Sequence, residues 1–206
     1  MQVKAQGLFH AARFLEQQYG RDALRDVLRA CSAPVRERYT SASSLEWHPL
    51  EELIELVQIA DDTLGRGDGK LAEHAGAEAA RANTKGLFRF VAHVATPEFL
   101  MRRIAGMWRQ FNDAGSMELL DIDDYACEIE VKDVPDPHAI FCAMLTGWIA
   151  EVTRAVGRVR PLVRHTQCRA KGATRCLWDA KWSGVAASEL LVSPLVPSPV
   201  GPGTRR

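Results

Sequence analysis

The stretch His165-Thr-Gln-Cys168-Arg-Ala-Lys-Gly172-Ala-Thr-Arg-Cys176 places two thiols and an imidazole close together in a chain of 206 residues with five cysteines. A third thiol, Cys142, lies upstream of this stretch. Structural zinc sites take four ligands in a tetrahedron, chiefly Cys and His. The sequence therefore predicts a zinc site whose ligands are Cys142, His165, Cys168 and Cys176.

The residues on both sides of Gly172 predict a β-hairpin. Residues 162–170 and 175–182 are the two strands, and a turn centred on Gly172 places Cys168 opposite Cys176. His165 and Cys168 are three residues apart, so in a regular strand their side chains point to opposite faces. A β-bulge or an irregular strand start must bring His165 to the thiols. Otherwise water or another residue supplies the fourth ligand.

Two readings without a metal are compatible with the same spacing. Cys168 and Cys176 form a disulfide, or the thiols are simply buried and His165 is a solvated strand residue. An odd number of cysteines without a secretory signal favours reduced thiols. Cys31 and Cys127 are expected to be buried and structural, because a free cysteine behaves as a small apolar side chain.

A zinc ion held by three thiolates and a neutral imidazole has all its tetrahedral positions filled. Catalytic zinc needs an open position for water or substrate. The predicted site is therefore structural, and it joins a long helix that carries Cys142 to the C-terminal hairpin.

The composition limits the kinds of partner that the protein is expected to bind. Lys+Arg and Asp+Glu both number 26, so the net charge does not attract nucleic acid or an anionic membrane. No stretch approaches the roughly 18 apolar residues of a membrane span, and a cytoplasmic location is expected. A basic stretch flanking the hairpin could still contact phosphate, although a solvated face is its commoner meaning. Its members are Arg154, Arg158, Arg160, Arg164, Arg169, Lys171 and Arg175.

Periodicity predicts an α+β fold of helices packed on an antiparallel sheet. Apolar residues recur at helical spacing over much of the first half, where helices are predicted at 7–19, 22–30, 50–64, 71–82 and 97–111. Alternation predicts a hairpin of 117–122 and 125–132, followed by a helix from Asp136 to about Val156. Residues 1–182 are expected to form one domain, and the Pro-, Ser- and Gly-rich residues 183–206 a flexible tail.

Three motifs carry a resemblance to a known family. They are Phe141-Cys142-Ala-Met-Leu-Thr-Gly147-Trp148, then Val156-Gly157-Arg158, then the Cys168 and Cys176 hairpin with His165 before it. Together they resemble the vinyl-reductase (4-vinyl reductase) domain family, and in particular the sensory domains of phenol- and xylene-responsive bacterial transcription activators. More distantly, the order of elements is similar to haem-nitric-oxide-binding domains and TRAPP subunits.

The resemblance implies a dimeric small-molecule sensor with bound zinc. In those sensory domains the ligands are a Cys at the position of Cys142, a Cys pair matching Cys168 and Cys176, and a Glu where this chain has His165. The family's phenol-contacting residues have no clear counterpart in this sequence. No convincing proximal haem ligand is present either, since His93 precedes the helix that starts near Thr96-Pro97.

The leading functional hypothesis is a non-enzymatic module that binds a small apolar or aromatic molecule between helices and sheet. Trp108, Phe111, Met144 and Trp148 lie on apolar helix stripes and could line its pocket, although plain core packing is the commoner role of such residues. The alternatives are a protein-interaction module without a small ligand and a reductase-type enzyme. The sequence contains no dinucleotide fingerprint and no nucleophile elbow that would favour an enzyme.

Overall fold

The computed structural model describes residues 1–84, 97–123, 126–157 and 161–182, and these residues form an α+β fold. Helices dominate the first half, and a hairpin, a long helix and a second hairpin follow, as predicted. The elements are β1 (Gln2–Lys4), α1 (Gln6–Ala30), α2 (Ala33–Ser41), β2 (Trp47–Pro49), α3 (Leu50–Thr63), α4 (Lys70–Thr84), α5 (Pro97–Ala105), α6 (Trp108–Phe111), β3 (Ser116–Ile122), β4 (Ala126–Lys132), α7 (Ala139–Gly157), β5 (Pro161–Gln167) and β6 (Cys176–Trp182).

The larger sheet has four antiparallel strands in the order β3-β4-β6-β5. The two predicted hairpins, β3–β4 and β5–β6, are joined side by side through the pairing of β4 with β6. Cys127, Ile129 and Val131 of β4 are buried, as the alternation in the sequence predicts. The two-stranded sheet of β1 and β2 pairs the N-terminus with the residues that precede α3.

The long helix α7 packs against α4 and against β5 and β6. Two glycines allow the backbones of α4 and α7 to approach closely. A Cβ atom on Gly76 would overlap the carbonyl oxygen of Met144, and one on Gly147 would overlap that of Glu73. Only glycine tolerates such an approach, so these residues fix the position of α7, which carries Cys142, Met144 and Trp148.

One hydrophobic core joins the helices to the sheet. It contains residues from Val3 in β1 to Trp182 in β6, and Leu8, Leu56 and Trp178 within it are fully buried. Burying a side chain of this size stabilises the folded state by about 1.5–3 kcal/mol. Cys31 and Cys127 also belong to this core, as expected.

Several local features differ from the sequence-based prediction. One expectation holds within α1: Gly20 has a non-helical backbone, with φ 88° and ψ 166°, so α1 consists of two helical segments on either side of Gly20, as the sequence predicts. Pro34 ends one helix but also lies in the first turn of α2, which the sequence did not predict. The expected helix 97–111 is divided into α5 and α6. The helix α7 begins at Ala139, not at Asp136, whose φ is 48°.

None of the helices in the described part of the chain combines the length and apolar character needed to cross a bilayer. The predicted tail, 183–206, lies outside the described residues.

Candidate metal centre and apolar cavity

The structure brings the four predicted metal ligands together. Cys142 lies in the first turns of α7, His165 lies in β5, Cys168 follows the end of β5, and Cys176 begins β6. One ligand atom from each residue lies within 4.8 Å of the others. The three thiols are buried and the imidazole is half-buried. Residues from a helix, a strand and a turn therefore converge on one point.

The spacing of the sulfur atoms fits a tetrahedral metal. Cys142 Sγ lies 3.9 Å from Cys176 Sγ and 3.9 Å from Cys168 Sγ. Zn–S bonds of about 2.3 Å at tetrahedral angles separate two sulfurs by about 3.8 Å. A disulfide requires sulfur atoms about 2.05 Å apart, and all five cysteines are free. The disulfide reading of the sequence is therefore not the arrangement found.

His165 reaches this cluster beside an irregularity in β5. The strand pairs His165 with Trp178 but Gln167 with Leu177, so the register shifts by one residue between them. This is the bulge that the odd spacing of His165 and Cys168 required. Continuing the shifted register places Cys168 across from Cys176, as the turn centred on Gly172 predicts.

The turn between the strands is built by backbone hydrogen bonds. Lys171 and Ala173 donate from their backbone N–H groups to the carbonyl oxygen of Cys168, at 3.0 Å each. The Arg169 N–H donates to Cys176 Sγ at 3.3 Å. Gly172 has φ 89°, in the left-handed region that favours glycine. The turn thus brings the sulfurs of Cys168 and Cys176 to the same cluster, and the Arg169 N–H provides a hydrogen bond to Cys176 Sγ.

The neutral imidazole of His165 suits a cation, whereas the Cys142 thiol must lose its proton when a cation binds. Burial, with the Lys171 ammonium next in effect, lowers the pKa of His165 to about 4, so the imidazole is neutral at pH 7. Its Nε2 is buried and has no hydrogen-bond partner in the described part of the chain. Burial, followed by the neighbouring Cys176 and Cys168, raises the pKa of the Cys142 thiol far above its usual range. A bound divalent cation reverses this effect, because coordination deprotonates thiols.

A second site is an apolar cavity of about 110 Å³. Its lining includes all four residues that the sequence suggested for a ligand pocket: Trp108, Phe111, Met144 and Trp148. Trp108 packs edge-on against Phe141, with 6.3 Å between ring centroids, and its indole N–H donates to the Ala114 carbonyl at 2.9 Å. The cavity is therefore walled by α6 and α7, with α1 and α4 opposite them.

The cavity also has polar groups that sequence reasoning missed. His10 of α1 and Asn83 of α4 both line it and hydrogen-bond to each other. Burial lowers the pKa of His10, which favours the neutral imidazole. Nothing in the local pattern of α1 distinguishes His10, because its position depends on how α1 and α4 pack.

Several side chains of the basic stretch make contacts within the protein. Arg154 pairs with Glu151, Arg169 donates to the Val134 carbonyl at 2.8 Å, and Arg175 donates to Gln167 at 3.3 Å. Arg158 and Arg160 lie outside the described residues. The side chains of Arg154, Arg169 and Arg175 are therefore less available to bind a phosphate.

Comparison with known proteins identifies the fold. An H-NOX protein from S. oneidensis in the Fe(II) ligation state superposes with a TM-score of 0.69 at 11% identity, covering 89% of this chain and 98% of that one. An Fe(II) unliganded H-NOX protein mutant from K. algicida gives 0.67 at 9% identity, covering 88% and 97%. The chain has the H-NOX fold. An oxygen-binding H-NOX domain related to soluble guanylate cyclases also matches, with a TM-score of 0.62 at 14% identity, covering 88% and 96%.

The H-NOX fold agrees with the distant resemblance to haem-nitric-oxide-binding domains. No family model matches the sequence, and no curated protein matches it either. The closer resemblance to the vinyl-reductase family therefore stays a prediction. At identities of 14% or less, the structural likeness establishes the fold and not the ligand.

The H-NOX fold implies haem as the bound group, because one of the similar structures was used to probe heme distortion in the H-NOX family. It does not fit this apolar cavity. A cavity of about 110 Å³ is comparable with the roughly 150 Å³ that accommodates benzene, whereas a porphyrin is several times larger. His93, which the sequence analysis did not accept as a proximal haem ligand, lies outside the described residues.

Proposed function

We propose that this protein is a non-enzymatic sensor module, stabilised by zinc, that binds a small apolar or aromatic molecule. Residues 1–182 act as one domain. Zinc is held by Cys142, His165, Cys168 and Cys176, and the ligand contacts Trp108, Phe111, Met144 and Trp148. The module serves bacterial signalling or regulation. The homodimer implied by the family resemblance is part of this proposal.

The observation that carries the proposal is the spacing of the three sulfurs. Two separations of 3.9 Å between buried, unbonded thiols match the edges of a zinc–thiolate tetrahedron. Three thiols packed together without a cation would gain little, because each is only a weak hydrogen-bond donor. A half-buried imidazole, whose Nε2 has no hydrogen-bond partner among the residues that the structure describes, would be the fourth ligand.

The zinc in this proposal is structural. Four protein ligands leave no position for water or substrate, so the ion does not perform hydrolysis. It ties the first turns of α7 to the turn between β5 and β6. Because metal binding requires the folded ligand arrangement, its binding free energy adds to the stability of the fold.

The size and lining of the cavity support the ligand class. Aromatic and methionine side chains provide apolar walls, and a volume of about 110 Å³ suits a molecule no larger than one ring. The cavity shares α7 with the metal centre, since Cys142 and Met144 lie on the same helix. Loss of the metal should therefore disturb one wall of the cavity.

Metal analysis of the untagged protein tests the zinc site. We expect about one zinc ion per chain, and loss of that zinc with a lowered melting temperature in Cys168→Ser, because a hydroxyl is a poor zinc ligand. Cys127→Ser is the matched control, since Cys127 is buried but outside the cluster. Full zinc loading of Cys168→Ser would refute the site.

Thermal denaturation with a panel of single-ring aromatics, lipid-like molecules and haem tests the cavity. A ligand at 100 times its Kd should stabilise the protein by about 2.7 kcal/mol. We expect single-ring molecules to give this shift and haem to give no Soret band characteristic of protein-bound haem. Ala79→Leu, which fills the cavity, should abolish the shift but keep the zinc.

Ala77→Leu is the control for this variant, because Ala77 is a half-buried residue of the same helix that does not line the cavity. If no ligand in the panel stabilises the wild-type protein, the sensor proposal fails. The protein-interaction module would then be the better reading.

A further inference from the structure

Three side chains form a chain of contacts behind the candidate metal centre. The indole of Trp178 is fully buried and stacks on the imidazole of His165, with 4.0 Å between ring centroids and 5° between ring planes. Trp178 Nε1 donates to Thr146 Oγ1 at 2.8 Å. Thr146 Oγ1 in turn donates to the carbonyl oxygen of Cys142 at 2.9 Å. The chain therefore starts at one candidate ligand and ends at another.

The stacked indole restrains the imidazole in a way that a hydrogen bond alone does not. A metal-binding histidine needs an outer group that fixes the orientation of its ring. Parallel contact with Trp178 holds the plane of the His165 ring, while its buried Nε2 has no hydrogen-bond partner among the described residues. The plane of Trp178 is held in turn by its bond to Thr146.

Thr146 connects the strand side of the centre to the helix side. A threonine hydroxyl in a helix commonly donates to the carbonyl four residues earlier. Thr153 of the same helix does so with Ile149 at 2.8 Å and is also buried. Thr146 differs in accepting the indole N–H as well, so it links α7 to β6 one turn after Cys142.

We propose that Trp178 and Thr146 are positioning residues of the metal centre. They hold His165 and Cys142 at the spacing a tetrahedral, thiolate-binding divalent ion requires, before the ion arrives. Neither residue coordinates the metal. The proposal rests on the proposed function, because it assumes that the four ligands bind zinc.

The test compares Thr146→Val with Thr153→Val. Each variant loses one hydroxyl that donates to a carbonyl within α7, half-buried at Thr146 and fully buried at Thr153, so the local cost of the substitution is at least as large in the control. Zinc affinity is measured by competition with a chromophoric chelator, and the geometry is measured from the absorption spectrum of the Co²⁺-substituted protein. We expect Thr146→Val to bind zinc about 10-fold more weakly and to have an altered Co²⁺ spectrum. Losses of this size are typical when a group that orients a metal ligand is removed.

Thr153→Val should match the wild-type protein in both measurements, and Thr146→Ser, which keeps the hydroxyl, should restore them. Trp178→Phe should keep the stacking but lose the N–H donor. Its effect should not add to that of Thr146→Val in the double variant, because both remove the same hydrogen bond. If Thr146→Val folds poorly, the comparison of Trp178→Phe with the wild-type protein still tests the same hydrogen bond.

The outcomes separate this proposal from the one on which it rests. Absence of zinc from the wild-type protein overturns both. Normal zinc loading of the wild type, together with equal affinity and equal Co²⁺ spectra for Thr146→Val and Thr153→Val, overturns the positioning role alone.

Discussion

At the scale of single residues, His165 reaches the candidate metal centre because β5 is irregular beside it. The register shift between His165 and Gln167 lies in the strand itself, so the backbone, and not only the side chain, defines this ligand position. The resemblance stated for the sequence implies Glu at this position in the phenol- and xylene-responsive sensory domains. A glutamate carboxylate and an imidazole can reach the same ligand position as long as the β-bulge between His165 and Gln167 is retained.

The ligand residues could be predicted from sequence because most of their geometry is local. A hairpin around Gly172 brings Cys168 and Cys176 together, and only Cys142 must come from elsewhere. Trp178 and Thr146 could not be predicted in their positioning role. They are 32 residues apart, and their contact exists only because α7 packs across β6.

At the scale of elements, the crossing of α4 and α7 depends on two glycines. We expect Gly147→Ala to lower the free energy of unfolding by at least about 3 kcal/mol, because its Cβ would overlap the Glu73 carbonyl and force the helices apart. The helix-forming preference of alanine, about 1 kcal/mol better than glycine, does not offset this overlap. Urea unfolding followed by circular dichroism measures the change.

Gly7→Ala provides the comparison for this variant. A Cβ on Gly7 would lie 3.3 Å from the Cδ2 methyl of Leu53, the end of a flexible side chain, so its effect should be small. Equal stability of Gly147→Ala and Gly7→Ala would show that the close approach of the two backbones is not needed.

Long or regularly alternating elements were predictable, and short ones were not. The strands β4 and β6 and the helix α7 have clear periodicity over seven or more residues. The helix α2 buries only Val35, so it has no apolar stripe to detect. The strands β1 and β2 have three residues each, which is too few for alternation to be recognised.

At the scale of the whole molecule, buried histidines should make the protein less stable in mild acid. Burial lowers the pKa of both His10 and His48 from 6.5. The unfolded chain therefore binds protons at these sites more readily than the folded chain. Stability should be complete above about pH 6.5 and should fall as the pH drops below that value. Urea unfolding at pH 7.5, 6.5 and 5.5, buffered at constant ionic strength, measures this slope.

His48→Gln should weaken the dependence of the free energy of unfolding on pH. His48 is fully buried, and although Glu52 favours its charged form, the effect of burial is larger. Arg38 acts in the same direction as burial. Exposed His74→Gln is the control for the loss of an imidazole. An unchanged slope in His48→Gln would assign the acid sensitivity to other groups.

The fold class could be predicted for the whole molecule, but the cavity could be predicted only in part. Trp108, Phe111, Met144 and Trp148 were suggested by apolar stripes on the two helices predicted at 97–111 and up to about Val156, and all four line the cavity. The opposite wall comes from α1 and α4, which are remote in sequence. Periodicity shows which face of a helix is buried, but not which other helix covers that face.

The strand order β3-β4-β6-β5 has a consequence for co-translational folding. The strand β6 follows the other described strands in sequence, yet it occupies an interior position of the sheet. Until it is synthesised, β3 and β4 form an isolated hairpin, a unit that is marginally stable in water. A nascent chain lacking β6 thus exposes the hydrogen-bonding edge of β4 that β6 pairs with, and a premature stop before Cys176 leaves an aggregation-prone fragment.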